Sequence, residues 1–131
     1  MKIRRNDGFT LIEILVASTI FSFAILGLAA GTVSVIRTNM TSHLQASAVN
    51  LAQGKIEEFR AMSAAAQAAL SCPSYTSSGC SDAPSASGNT FSRSWQVTAN
   101  SPVAGVRTIA VKVDWSDYAS RSVTISASVV Q

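Results

Sequence analysis

The 131 residues predict an α+β fold: a long N-terminal helix whose second half packs on a small antiparallel sheet of about three strands. Three observations carry this. Residues 9–36 form an apolar run, after which apolar side chains recur at three- and four-residue steps as far as Met62. No proline interrupts residues 9–71. Beyond residue 90, three stretches alternate apolar and polar side chains with the period of half-buried strands.

The elements follow in chain order. A short leader precedes Phe9, and Lys2, Arg4 and Arg5 place three of the ten basic residues within it. The net charge of +3 is therefore better read as a positive cytoplasmic flank than as a nucleic-acid surface. Residues 9–36 exceed the roughly 20 apolar residues needed to cross a bilayer. In the amphipathic half, Ile36, Met40, Leu44, Ala48, Leu51, Ala52, Ile56, Phe59 and Met62 make one stripe, with Arg37, Gln45, Asn50, Gln53, Glu57 and Arg60 mostly off it. The spacing predicts one helix from about Phe9 to at least Met62, extendable to Leu70. Residues 71–89, SCPSYTSSGCSDAPSASGN, are almost all turn formers and read as a surface loop. Residues 91–99, 107–115 and 123–129 supply the strands, and their short connections imply a meander. The division is then a leader at 1–8, a membrane-spanning helix at 9–36 and a globular part at 37–131.

Little in the chain suggests catalysis. His43 has no acid or nucleophile near it in sequence. Glu57 and Glu58 point about 100° apart on a helix and read as a solvated face. Asp114 and Asp117 flank a turn, but two carboxylates fall short of the six to eight oxygens calcium takes. No phosphate loop, zinc spacing or nucleophile elbow is present, so neither a metal nor a cofactor is expected. Cys72 and Cys80 form a small disulfide loop if the domain is exported, and stay free thiols otherwise.

Glu13 is the one charged side chain between residues 9 and 36, and a carboxylate in hydrocarbon costs several kcal/mol unless paired. A secretory signal is a poor reading because the apolar core is too long, although Leu28-Ala29-Ala30-Gly31 imitates a late cleavage site. A plain anchor explains everything except Glu13, and an anchored periplasmic binding protein is the reading that goes with it. The third reading is a resemblance: Gly8-Phe9-Thr10-Leu11-Ile12-Glu13 after a basic leader resembles the prepilin signal of type IV pilins and pseudopilins.

The resemblance implies the pilin lollipop fold and a processing route. A membrane-embedded prepilin peptidase would cut between Gly8 and Phe9 and N-methylate Phe9. Glu13 would pair with the N-terminal ammonium of a neighbouring subunit during filament assembly. The implied partners are other major and minor pilin subunits, the peptidase, the inner-membrane assembly platform and the membrane itself. Gly27 and Gly31 form a G-x-x-x-G that lets helices approach closely, or are ordinary membrane-helix glycines. Major pilins usually carry a proline where this chain has Ala30, which argues against a major subunit. The stretch from Gln45 to Phe59 and the ending around Val111–Ile125 are similar to PilV-type minor pilins of the type IV pilus, and to the GspI-type minor pseudopilin of type II secretion. The implied role is a non-enzymatic minor subunit that primes assembly at a filament tip. The loop at 71–89 is a candidate contact surface.

Overall fold

A computed structural model describes residues 8–130; the leader reading at residues 1–7 lies outside them. The elements are α1 (Leu11–Ala61), α2 (Ala64–Ala69) and six strands: β1 (Ser81–Asp82), β2 (Ser85–Ala86), β3 (Asn89–Thr90), β4 (Ser92–Ala99), β5 (Val106–Ser116) and β6 (Ser120–Val130). The fold is α+β, with a long N-terminal helix followed by a small antiparallel sheet. Internal contacts divide the chain into one unit ending at Met40 and another starting at Thr41.

The first unit holds α1 up to Met40. Its side chains are exposed, including Leu11, Ile14, Phe21, Leu28 and Ile36, so nothing within the unit covers this apolar surface. The helix is long and apolar enough, by length and composition, to cross a membrane.

The second unit buries one face of α1 on the sheet. Leu44, Ala48, Ala52, Ile56 and Phe59 are buried at four- and three-residue steps. Ala48 and Ala52 are fully covered, and their size lets the sheet approach the helix backbone. Trp95 and Val97 of β4 and Ile109, Val111, Val113 and Trp115 of β5 fill the facing side, with Phe91 just before β4. Val123, Ile125, Ala127 and Val129 of β6 close it partly. The expected stripe is thus shorter than its sequence pattern, since Ile36 and Met40 stay exposed.

Two expectations need correction. The sheet has four strands in the order β1-β4-β5-β6, because the stretch read as loop contributes β1 at one edge. The same stretch also makes the hairpin β2–β3, turning through Ser87 and Gly88, both at positive φ, as a two-residue primed turn requires. Second, the helix does not continue past Ala61. Ser63 is extended and caps α2 with its side chain, which accepts from the Ala66 amide.

The junction is locked by Gln67, a buried polar side chain. Its Nε2 donates to the Phe59 carbonyl at 3.0 Å and to the Met62 carbonyl at 3.2 Å, satisfying acceptors left open where α1 ends. Arg107 in turn donates to the Gln67 carbonyl at 3.0 Å. Gln67→Ala strands both acceptors and is expected to cost about 1–3 kcal/mol in urea unfolding of the full chain in detergent. Gln67→Glu, which exchanges the donor for a charge, should cost at least as much.

Candidate functional site

Gly8, Phe9 and Thr10 are exposed and precede the first helical residue, Leu11. The start is set by Thr10. Its Oγ1 accepts the Glu13 amide at 3.3 Å, and its carbonyl accepts the Glu13 and Ile14 amides at 3.1 and 3.2 Å. Thr10 is therefore the N-cap and Glu13 the third helical residue, the spacing of a capping box. The signal was present in Thr10-Leu11-Ile12-Glu13, yet the sequence reading above gives Thr10 no role. The carboxylate lies in the first turn, where unsatisfied amides and the positive end of the helix dipole favour it.

That field reduces the cost of the charge without pairing it. None of the ion pairs among the described residues includes Glu13. Phe9, Glu13, Ala17 and Phe21 follow at four-residue steps and, with Ile14 and Ser18, line one shallow groove along the helix. Five of the hydroxyls farther along bond back to their own helix. Ser18 and Thr19 donate to the Leu15 carbonyl at 3.0 and 2.8 Å, Ser22 to Ser18, Thr32 to Leu28 and Thr38 to Ser34. An apolar surface thus carries a single carboxylate near its N-terminal end. A Cβ added at Gly27 or Gly31 would meet nothing within 4 Å, so neither glycine accommodates a close contact inside this chain.

The other residues singled out in the sequence lie in the second unit. Cys72 and Cys80 are joined by a disulfide, and both are buried in the core. The segment they close runs along β4: the Cys80 and Cys72 carbonyls accept the Trp95 and Val97 amides at 2.9 and 2.8 Å, and Gln96 donates to the Pro73 carbonyl at 2.7 Å. The stretch read as a solvated loop therefore covers a sheet edge. Arg93, on the inward-facing row of β4, donates to the Leu51 carbonyl of α1 at 3.0 Å and pairs with Asp82 of β1. Sequence reasoning gave it no task. His43 is exposed. Glu57 and Glu58 each bond a different cation, Arg60 at 2.8 Å and Lys55 at 2.9 Å. The Lys55 ammonium also lies 4.2 Å from the Trp95 ring centroid. Among the described residues, no group of three or more His, Cys, Asp or Glu could hold a metal ion.

Asp114 and Asp117 have separate roles. Asp114 pairs with Lys112 at 2.8 Å. Asp117, its side chain only 1% exposed, lies in the β5–β6 turn and ties that turn to α1 by accepting from Thr41 Oγ1 at 3.1 Å. The Ala119 amide does most to lower its pKa, to about 2, against an opposing effect of burial; Thr41, Arg121 and the Tyr118 amide add to the lowering. A depressed carboxylate stabilises the fold fully above its unfolded value near 4 and loses that contribution as the pH falls toward 2. Thermal midpoints of the full chain in detergent should drop across this window, and Asp117→Asn should flatten that part of the profile.

Residues 3–29 match a family model described as the prokaryotic N-terminal methylation motif. No curated protein and no solved structure matches the chain.

Proposed function

From a methylation motif over residues 3–29, the hallmark of type IV pilin and prepilin-like proteins, we propose that this chain is a minor structural subunit of a type IV pilus. It is cut between Gly8 and Phe9 by a prepilin peptidase, N-methylated at Phe9, and helps prime filament assembly at the tip. The observation that carries this is Glu13: one carboxylate on an otherwise neutral, exposed apolar helix, in the turn next to the terminus that cleavage would create. Its partner in trans is the methylated ammonium of a neighbouring subunit, and docking removes two uncompensated charges together. Function then resides in assembly, not in catalysis.

Weaker features favour a minor subunit: Ala30 stands where major pilins usually have proline, and the disulfide follows the helix instead of bracketing the last segment. The subunit waits in the inner membrane with its N-terminus cytoplasmic and residues 37–131 outside. Gly27 and Gly31 face a neighbouring helix in the filament. The same residues would serve a minor pseudopilin of type II secretion, and the major subunit that co-purifies in crosslinked filaments distinguishes the two.

The test is the mature terminus. Intact-mass and N-terminal peptide analysis of the protein from its native membrane should find N-methylated Phe9. Met1 retained in cells with active prepilin peptidase, or a cut near Ala30, overturns the reading.

A further inference from the structure

Where the helix begins decides what form the proposed cleavage site takes. Leader removal is a hydrolysis: water adds across the Gly8–Phe9 amide, the C–N bond breaks, and the products are the Gly8 carboxylate and the Phe9 ammonium. Water can reach that carbonyl only if the amide is not enclosed in a helical turn. In the structure Gly8 and Phe9 are exposed and non-helical, and the first turn opens at Leu11.

This outcome is not dictated by the upstream sequence. Asn6 and Asp7, which lie outside the described residues, belong to the types that cap helices best. A helix capped at either would take Gly8 and Phe9 into its first turn, and glycine resists this by only about 1 kcal/mol relative to alanine. The competing cap is Thr10, whose Oγ1 accepts the Glu13 amide at 3.3 Å while its carbonyl accepts at 3.1 and 3.2 Å. Thr10 precedes a glutamate at the favoured spacing, whereas the residue three after Asp7 is Thr10 and three after Asn6 is Phe9.

We propose that Thr10 is a positioning residue for leader removal: its hydroxyl fixes the helix start beyond the Gly8–Phe9 bond and so presents that bond to the peptidase as extended chain. This rests on the prepilin reading given under Proposed function. Thr10 need not touch the reacting atoms; it acts through the conformation of the bond before it. Serine in its place keeps the cap, whereas the near-isosteric valine removes it and hands the helix start to Asp7 or Asn6.

The experiment measures kcat/KM of a purified prepilin-type aspartic peptidase on the full-length precursor in detergent, with amide exchange at Leu11 followed on the same samples. Thr10→Val should lower kcat/KM about fivefold, the loss equivalent to one N-cap, and should slow exchange at the Leu11 amide, which gains an intrahelical acceptor only when the helix starts earlier. Thr10→Ser should stay within about twofold of the parent on the same scale. The triple variant Asn6→Ala, Asp7→Ala, Thr10→Val, in which the competing caps are also gone, should recover to about the level of Asn6→Ala, Asp7→Ala alone. That recovery separates a conformational role from a direct contact with the peptidase. An unchanged Thr10→Val overturns the inference and leaves the prepilin reading standing. A slowed Thr10→Val that the triple variant does not rescue overturns it as well. A parent chain left uncut at Gly8–Phe9 by a peptidase that cuts a control prepilin removes the reading itself, and the inference with it.

Discussion

Glu13→Gln is expected to leave the subunit in the membrane with its leader removable, and to lower its incorporation into filaments by about two to three orders of magnitude. The substitution is nearly isosteric, and glutamine at the third helical position still satisfies a capping box, so the helix start is kept. What disappears is the charge that attracts a neighbouring ammonium. Breaking one side of an ion pair in a low-dielectric interior typically costs about 3–5 kcal/mol, because the other charge stays behind unpaired. The readout is the ratio of subunit in sheared, purified filaments to subunit in the membrane fraction, measured beside the parent. Glu13→Asp retains the charge on a shorter side chain and should fall between the two. Equal incorporation of the glutamine variant would show that apolar packing alone recruits the subunit, and the assembly argument would fail.

The largest effect on stability is expected at Phe59. Its side chain is 1% exposed and packs in the cluster that joins α1 to β4 and β5. Phe59→Ala removes a ring from a site that cannot collapse easily, since Ala52, Val111 and Val113 are already fully covered around that core. Such truncations cost about 3–5 kcal/mol. Domains of this kind have roughly 5–15 kcal/mol in total, so the variant should sit near the edge of unfolding. Trp95 and Trp115 belong to the same core and report the transition by fluorescence in a urea titration of the full chain in detergent. Ile36→Ala is the control: the residue is 62% exposed and belongs to the first unit, so the midpoint should move by less than about 0.5 kcal/mol. A Phe59 variant as stable as that control would contradict the packing described.

The sequence made the large features readable because each repeats a local rule many times. Alternation in β4 and β5 placed Trp95, Val97, Ile109, Val111, Val113 and Trp115 on one face, and that face is buried. The helical stripe placed Leu44, Ala48, Ala52, Ile56 and Phe59 opposite it. What escaped were features decided by single long-range partners. Residues 62–69 carry no proline or glycine and have high helix propensity, so nothing local announces the break after Ala61. The break exists because the Gln67 amide reaches back to two carbonyls and Ser63 caps the new turn. Strands of two residues, such as β1, are too short to show a period and form only because β4 offers an edge. Arg93 is a charge on a buried row, and the Leu51 carbonyl and Asp82 explain it. At Glu13 the sequence pointed the carboxylate outward to another subunit, while the bond from its backbone amide to Thr10 Oγ1, three residues earlier, was missed.

Glu13 and Arg37 are the charges that bound the uncharged part of α1 in the first unit. At 1.5 Å per residue they stand roughly 36 Å apart along the helix axis, against a hydrocarbon thickness of about 30 Å. In a bilayer such a helix would rest with a charge near each edge, and sliding it by more than about 6 Å in either direction would submerge one of them. Outward sliding submerges the carboxylate first, a cost of several kcal/mol that apolar surface elsewhere on the helix cannot offset. On the membrane placement proposed above, departure would then be gated by neutralisation: the subunit would hold its depth until a cation meets Glu13.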